Sequence, residues 1–154
     1  MDFHKIKKTM EKAVEFMFAY AATMLERDGF VTPVVHLFRS TGANEVIALI
    51  MKTDEEKDEA VSMLKAKLAT GEYIGLLLLG DFIVDPDSEP FKGYKEALVV
   101  SYQTPIESWI YMMPYKKIRN SYQFGKLNVG ANPPPSKVSK FFNLFPDLST
   151  QNPS

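Results

Sequence analysis

Residues 73–85 read YIGLLLLGDFIVD, and they form the most apolar segment of the chain. Apolar side chains occupy both alternating faces of this segment, which predicts a central strand that is covered on both sides or buried at an interface. Asp81 interrupts the run directly after Gly80. A carboxylate near the end of a central strand is where many α/β enzymes place chemistry, and it also commonly starts a turn or bulge, so both interpretations stay open.

Two helices are predicted before this strand. Over residues 3–27, apolar residues recur at spacings of three and four, which is typical of a helix with one buried side. Thr53 caps a second helix over residues 54–70, and Glu56 completes its capping box. The acidic run at 54–59 lies at the positive end of this helix dipole. Because consecutive helical residues point about 100° apart, this run indicates helix capping rather than a metal site.

The other periodic segments have the character of strands. Between the helices, two short β-branched segments flank a polar loop with a glycine, which favours an antiparallel hairpin. After residue 85, a loop with two prolines precedes three further apolar segments. Strands are therefore predicted at residues 32–39, 45–52, 73–84, 96–103, 108–115 and 122–127.

This order of elements indicates an α+β fold, with two helices packed on a mostly antiparallel sheet of about five to six strands. A chain of 154 residues suits one domain rather than two. The domain is predicted over residues 1–128. Half of the chain's ten prolines lie in its last 22 residues, and residues 129–154 are therefore predicted to form a flexible or wrapping tail.

Charge and cysteine content exclude several classes of function. Eighteen basic and nineteen acidic residues give a formal net charge of -1, which does not favour general binding to nucleic-acid phosphates. The chain has no cysteine, which excludes disulfides and sulfur-ligated metal sites and fits a reducing compartment. Charges recur through the N-terminal residues, and no segment has the length of a membrane span. We therefore expect a cytoplasmic protein without membrane contact, structural metal or tightly held cofactor.

Four segments resemble a pattern found in uncharacterised conserved hypothetical proteins of bacteria and phages, which share a domain of unknown function. They are RDGFVTP at 27–33, DEEKDEAVSMLKAKL at 54–68, the apolar strand that runs into Asp81 and Phe82, and KEALVV at 95–100. The resemblance implies the order of elements over residues 3–102 and implies no activity. Where the pattern has Glu-Ala-Trp at the strand end, this chain has Gly-Asp-Phe.

His36, Asp81 and Glu107 are the candidates for acid–base chemistry. His36 shares its strand face with Val34 and Phe38, which favours a half-buried structural histidine over a catalytic or metal-binding one. An enzyme requires the fold to bring the three candidates together. The chain contains no Walker loop, GxSxG elbow or HExxH helix, and its two histidines lack metal-ligand spacing.

Residues 114–122 combine cations with aromatic rings. Lys116, Lys117 and Arg119 lie close in sequence to Tyr115 and Tyr122, a mixture that single-stranded nucleic acids or anionic ligands use. Lysines on a strand edge also protect a sheet against aggregation. A weak nucleic-acid patch and a solvated edge both remain open, and the balanced net charge makes nucleic acid the less favoured partner.

The tail carries an aromatic cluster that needs a covering surface. Val138, Phe141, Phe142 and Phe145 lie in a polar segment, and burial of each phenylalanine is worth about 1.5–3 kcal/mol. The spacing of Val138, Phe141 and Phe142 resembles the sliding-clamp-binding motif of replication proteins, with Pro135 in place of its leading glutamine. The tail is predicted to pack on its own domain, to swap onto a twin subunit or to dock on another protein. The sequence thus predicts a non-catalytic binding or protein-interaction module, with a small enzyme as the alternative.

Overall fold

The computed structural model describes residues 3–131 and 139–146 of the chain. The predicted α+β class and the order α-β-β-α-β-β-β-β are confirmed, and one further short strand brings the total to seven. The elements are α1 Phe3–Asp28, β1 Val34–Arg39, β2 Asn44–Ala48, α2 Asp54–Ala69, β3 Tyr73–Ile83, β4 Glu96–Gln103, β5 Ser108–Ile118, β6 Ser121–Phe124, β7 Asn128–Gly130 and a 3-10 turn at Ser139–Phe141. None of the described helices is long and apolar enough to cross a membrane.

The strands form one antiparallel sheet with the order β2-β1-β3-β4-β5-β6, and β7 pairs with β5. β3 lies between β1 and β4, and its residues from Tyr73 to Gly80 are all buried. The prediction of a central strand with two covered faces is therefore confirmed. Gly75 lets α1 approach this strand, because a Cβ at that position would overlap the Met10 sulfur.

Alternation of side chains along the strands divides the core between two faces of the sheet. On the first, which we call the α1 face, α1 packs through Val14, Met17, Phe18 and Ala21 against Leu77, Leu79, Leu98 and Val100. On the second, the α2 face, α2 packs against β1 and β3 through Ala60, Leu64, Leu68, Val35, Leu37, Leu76 and Leu78. Ala60, Leu64 and Leu68 follow one another at spacings of four residues, and they form the buried side of α2. Its N-terminus is capped as predicted, since the Thr53 hydroxyl accepts a hydrogen bond from the Glu56 N–H at 3.1 Å.

The C-terminal segment covers the part of the α2 face that α2 leaves open. Phe141 and Leu144 join the α2 layer, whereas Phe142 packs against the small and apolar residues Ala97, Val99 and Ile110 of β4 and β5. The Phe142 ring also lies 5.5 Å from that of Phe82. The C-terminal segment and α2 together therefore form the layer that covers the α2 face.

Gln103, at the end of β4, holds the C-terminal segment in place. Its side chain is 1% exposed. The amide nitrogen donates to the Phe141 carbonyl at 2.7 Å and to the Ser101 hydroxyl at 2.8 Å, and the amide oxygen accepts from the Leu144 N–H at 2.8 Å. A buried amide without partners would cost about 1–3 kcal/mol, so these internal partners allow a polar residue in the core. Gln103 was not among the residues predicted to have a structural or functional role.

Pro114 lies inside β5 rather than near its end, because β5 continues to Ile118. On the side away from β4, β5 pairs with β7 up to Met112 and with β6 from Tyr115 onward. Pro114 lies in the gap between these two partners, where no ladder hydrogen bond needs its missing N–H. Its carbonyl accepts from the Gly125 N–H at 2.7 Å, and the predicted strand at 122–127 ends there.

Candidate binding site

His36 lies half-buried on the α1 face, stacked on Phe38 with ring centroids 4.3 Å apart. Burial lowers the pKa of His36 below its ordinary value, because the charged imidazolium loses hydration. The strand face that the sequence assigned to His36 is the one observed. Among the described residues none forms a hydrogen bond with its ring, which packs against the apolar residues Val34, Val46 and Leu79.

The structure does not bring His36, Asp81 and Glu107 together. His36 pairs with Leu77, and Asp81 lies four residues further along β3, about 13 Å away at the rise of an extended strand. Glu107 lies in the turn from β4 to β5, near the opposite end of β3, and pairs with Lys7 at 3.6 Å. These three residues therefore do not form one site in this structure.

Asp81 instead meets Tyr115 and Glu96. The Tyr115 hydroxyl oxygen lies 2.7 Å from Asp81 Oδ2 and 2.5 Å from Glu96 Oε2. Tyr115 is 6% exposed, whereas Asp81 and Glu96 open toward solvent. We call these three residues the carboxylate–tyrosine cluster.

Strand alternation explains how the cluster assembles. Asp81 follows Leu79 by two residues, Glu96 precedes Leu98 by two, and all of these side chains point to the α1 face. Tyr115 pairs directly with Glu96 across β4 and β5. The sequence signal was available, since a period of two carries polar groups onto the face of the preceding apolar ones. The sequence pattern does not contain the register between β4 and β5, and this register places Tyr115 opposite Glu96.

The hydrogen bonds of this cluster depend on its protonation. A hydroxyl carries one proton and donates to one carboxylate at a time, so the other close contact is satisfied when that carboxyl is itself protonated. Burial raises the pKa of Asp81 to about 7, and the neighbouring Glu96 carboxylate adds to the rise. The hydrogen bond from Tyr115 opposes it. Burial also raises the pKa of the Tyr115 phenol, so the hydroxyl remains the donor at neutral pH.

The five residues of the predicted cationic patch do not form one surface. Lys116 Nζ lies over the Tyr94 ring at 4.9 Å on the α2 face, whereas Lys117 Nζ lies over the Tyr122 ring at 5.7 Å on the α1 face. Tyr115 is buried.

Arg119 occupies the two-residue turn between β5 and β6 and has φ 59. Such turns require positive φ, and non-glycine residues adopt it rarely. The arginine is thus held at the tip of the hairpin, apart from both lysines. The cations and rings of residues 114–122 therefore do not form a continuous stacking platform for nucleic acid in this structure.

A second tyrosine–carboxylate group joins the β1–β2 hairpin to α2 and β3. Glu45 Oε2 accepts from the Tyr73 hydroxyl at 2.5 Å and from Arg39 Nη2 at 3.2 Å, while Glu45 Oε1 accepts from Lys67 Nζ at 3.1 Å. The hydrogen bonds from Tyr73 and Lys67 lower the pKa of Glu45. Two cations around one carboxylate make this a structural group, which we call the ion-paired cluster.

A groove of about 620 Å³ lies on the α1 face between α1 and the β5–β6 hairpin. Its walls are mostly apolar, and they consist of Val14, Phe18, Ala19 and Ala22 from α1 with Tyr111, Met113, Phe124 and Leu127 from the sheet. The charged lining residues are Glu11 and Glu15. Phe124 connects the groove to the carboxylate–tyrosine cluster, because its ring centroid lies 6.2 Å from that of Tyr115.

The aromatic residues of the C-terminal segment are not free to dock on a partner in this structure. Phe141 and Phe142 are 5% and 3% exposed, and Phe145 is partly buried against the α2 layer. Val138 lies outside the described residues. Phe141 and Phe142 pack on the chain's own domain, so a clamp-binding mode would require this segment to leave the core.

Within residues 3–131 and 139–146, no group of three His, Asp or Glu side chains is placed to hold a metal ion. Comparison of the chain with protein-family models, curated proteins and solved structures finds no match.

Proposed function

We propose that the protein is a non-catalytic binding module that holds a small amphipathic amine in the groove between α1 and the β5–β6 hairpin. The observation that carries this proposal is an apolar groove of about 620 Å³ whose charged lining residues are both glutamates. Small-molecule sites have volumes of about 300–1,000 Å³, apolar walls and a few polar groups that orient the ligand. The lack of cysteine supports a cytoplasmic setting for this module.

The walls favour the apolar part of such a ligand. Met113 and Phe124 offer a flexible thioether and a ring, both of which adapt to alkyl chains. Ala19 and Ala22 leave space along the helix side of the groove. An alkyl chain placed here would leave water for an apolar environment, at about 0.8 kcal/mol for each methylene buried.

The glutamates favour a cationic end. Glu11 and Glu15 are four residues apart on α1 and therefore lie on the same side of the helix. No lysine or arginine is among the residues that line the groove. The ring of Tyr111 adds a face to which an ammonium group is attracted.

Calorimetric titration of the full chain with three decyl probes tests the proposal. Decylammonium should bind several-fold more tightly than decanol, and decanoate should bind most weakly. Replacing both Glu11 and Glu15 by Gln should remove the preference for the amine while leaving decanol binding unchanged. Equal binding of the amine and the carboxylate would contradict the proposal.

Filling the groove supplies the second arm of this test. Ala19→Trp places a large side chain in the groove from an exposed position of α1, and it should abolish binding of all three probes. Thr23→Trp is the matched control, since Thr23 is exposed on α1 and does not line the groove. Undiminished binding by the Ala19→Trp variant would place the ligand elsewhere.

A second candidate function is general acid–base catalysis by the carboxylate–tyrosine cluster. The specific observation is a carboxyl group whose pKa is raised to about 7, which suits proton transfer at neutral pH. Assays of the full chain with chromogenic esters, glycosides and phosphates should then show turnover that Asp81→Asn abolishes. Absent turnover, or turnover that survives this substitution, would eliminate the candidate.

A further inference from the structure

β2 is an open edge of the sheet within the described part of the chain. The sheet order ends at β2, which pairs with β1 on one side only. Backbone hydrogen bonds join Arg39 N to Ala43 O and Leu49 N to Pro33 O, each at 2.9 Å. In an antiparallel ladder, residues with hydrogen bonds to a given neighbouring strand alternate with residues that lack them. The backbone N–H and C=O groups of the odd-numbered residues of β2 therefore point toward β1. The N–H and C=O groups of Asn44, Val46 and Ala48 therefore point outward.

This edge lacks the usual protection against pairing. Proteins protect open edges with lysines, prolines or bulges, and the β2 sequence NEVIA contains no lysine or proline and pairs with β1 without a register shift. Its charged residue, Glu45, is engaged by Arg39 and Lys67 of the ion-paired cluster.

The sequence of β2 is complementary to itself. In an antiparallel pairing centred on Val46, each Asn44 lies opposite an Ala48, and these residues and Val46 are the ones with outward backbone groups. Each outward amide of one copy then meets a carbonyl of the other. Glu45 lies opposite Ile47 in this register, whereas a register shifted by two residues and centred on Glu45 would place two Glu45 carboxylates opposite each other. Charge therefore disfavours the register centred on Glu45.

Exposed apolar side chains surround the same edge. Val46 is 64% exposed, and on α1 above it Phe16 is 66% and Tyr20 is 52% exposed. They line an open cavity of about 560 Å³ together with His36. The two-fold axis of an antiparallel ladder is perpendicular to the sheet, so α1 of both copies would lie on the same side. The exposed rings of one copy would then face those of the other.

We propose that β2 pairs with β2 of a second copy of this chain, and that the two copies form a two-fold symmetric dimer with one continuous antiparallel sheet. The interface lies at the sheet edge opposite the groove and is independent of the amine-binding proposal. It also differs from self-association through the C-terminal segment, whose Phe141 and Phe142 are buried in their own domain.

Sedimentation equilibrium of the full chain over a range of concentrations tests the dimer. The wild type should have twice the mass of one chain, and Val46→Lys should have the mass of a monomer. Ile83→Lys is the matched control, because Ile83 is 91% exposed and lies outside β2, and this variant should remain a dimer. Circular dichroism shows whether each variant is folded.

Phe16→Glu supplies a second variant that leaves the β2 backbone untouched, and its two copies would place like charges beside the axis. It should weaken the dimer at least several-fold. Amide exchange should show concentration-dependent protection at Asn44, Val46 and Ala48. A monomeric wild type, or a dimer that survives both Val46→Lys and Phe16→Glu, would overturn the proposal.

Discussion

Two clusters in this protein pair a tyrosine hydroxyl with carboxylates, and the pKa shifts of Glu45 in one and of Asp81 in the other are opposite. Tyr73 lies 2.5 Å from Glu45, and Tyr115 lies 2.5 Å from Glu96. The first pair is joined by two cations, which are Arg39 and Lys67. The second pair is joined by another carboxylate, Asp81. The tyrosine contact alone therefore does not determine the ionisation of its partner.

The groups around each carboxylate determine its pKa. Hydrogen bonds from Tyr73 and Lys67 lower the pKa of Glu45, because they stabilise its charged form. Burial and the nearby Glu96 raise the pKa of Asp81, because they destabilise its charged form. The ion-paired cluster is therefore suited to holding elements together. The carboxylate–tyrosine cluster is suited to holding a proton near neutral pH.

Gln103 is buried like Tyr115 but carries no charge, so its hydrogen bonds should not depend on pH. Its loss should have the largest effect on the free energy of unfolding. Gln103→Ala leaves the Leu144 N–H and the Phe141 carbonyl without their internal partner and detaches the C-terminal segment from β4. The free energy of unfolding should fall by about 3 kcal/mol, equally at pH 5 and pH 8, since no titrating group is lost.

Urea unfolding measures this change. Gln123→Ala, at an exposed position in β6, is the control and should be nearly neutral. A Gln103→Ala variant as stable as this control would show that the C-terminal segment is not held by the amide.

Tyr115→Phe should have the second largest effect and should depend on pH. At pH 8, where the Asp81 carboxyl is mostly charged, loss of the hydroxyl should lower the free energy of unfolding by about 1–3 kcal/mol. At pH 5 the loss should be smaller, because protonated Asp81 can donate directly to Glu96. The pKa of Asp81 should move above 7, since the hydrogen bond from Tyr115 holds it down.

Carboxyl carbon resonances followed by NMR report this pKa. In the matched variant Tyr73→Phe, the pKa of Glu45 should rise toward its ordinary value while Arg39 and Lys67 keep it lower. A fall in the pKa of Asp81 in the Tyr115→Phe variant would contradict the account of the cluster.

Asp81 should make the wild type less stable as pH rises. Its folded pKa of about 7 exceeds the ordinary value of 3.8, so the folded state binds the proton more tightly than the unfolded state. Between these two pH values the free energy of unfolding should therefore decrease with rising pH. Asp81→Asn should remove this dependence and raise stability at pH 8 by about 1 kcal/mol, after allowance for solvent screening of a partly exposed group.

Unfolding free energies across this pH range measure the slope in both proteins. An Asp81→Asn variant with the wild-type slope would show that another group titrates there.

Glu45→Gln should have the smallest effect and the opposite sign. Because the folded pKa of Glu45 is lowered below 4.5, its contribution to stability is present above that pH and is lost as pH falls through the folded pKa. The substitution should therefore weaken the protein slightly at pH 7 and make it less sensitive to acid. Thermal unfolding at pH 7 and pH 3 measures both changes, and greater acid sensitivity in the variant would contradict the sign.

Local patterns predicted most of the fold because each reports the surroundings of a single segment. The two apolar faces of residues 73–79 required cover on both sides, and the structure has α1 on one side and α2 on the other. Thr53 and Glu56 marked the start of α2, since the capping bond joins residues three apart. The seventh strand escaped prediction because Asn128–Gly130 has little apolar character and forms only beside β5.

The sites depend on registers between strands, and no local pattern contains them. Asp81 was identified as a polar residue at the end of the apolar strand, but its partners Glu96 and Tyr115 come from strands whose alignment is set only when the sheet forms. Gln103 stands last in the predicted strand 96–103, and its role depends on a segment about forty residues away. His36, Glu107 and Asp81 were grouped in one candidate site only because their side chains can act as acids and bases, and their positions in the sheet keep them apart.

The amino-acid sequence by itself determined the class of fold, the order of its elements and the need of Phe141 and Phe142 for an apolar cover. These follow from spacing along one chain and from the cost of leaving apolar surface in water. Only the tertiary structure decided that the cover is the α2 face and that β2 has one neighbouring strand within the described residues. It also decided that the pKa of one carboxyl group is raised while that of another is lowered. Coulombic and desolvation energies depend on distances through space, and folding is what sets those distances.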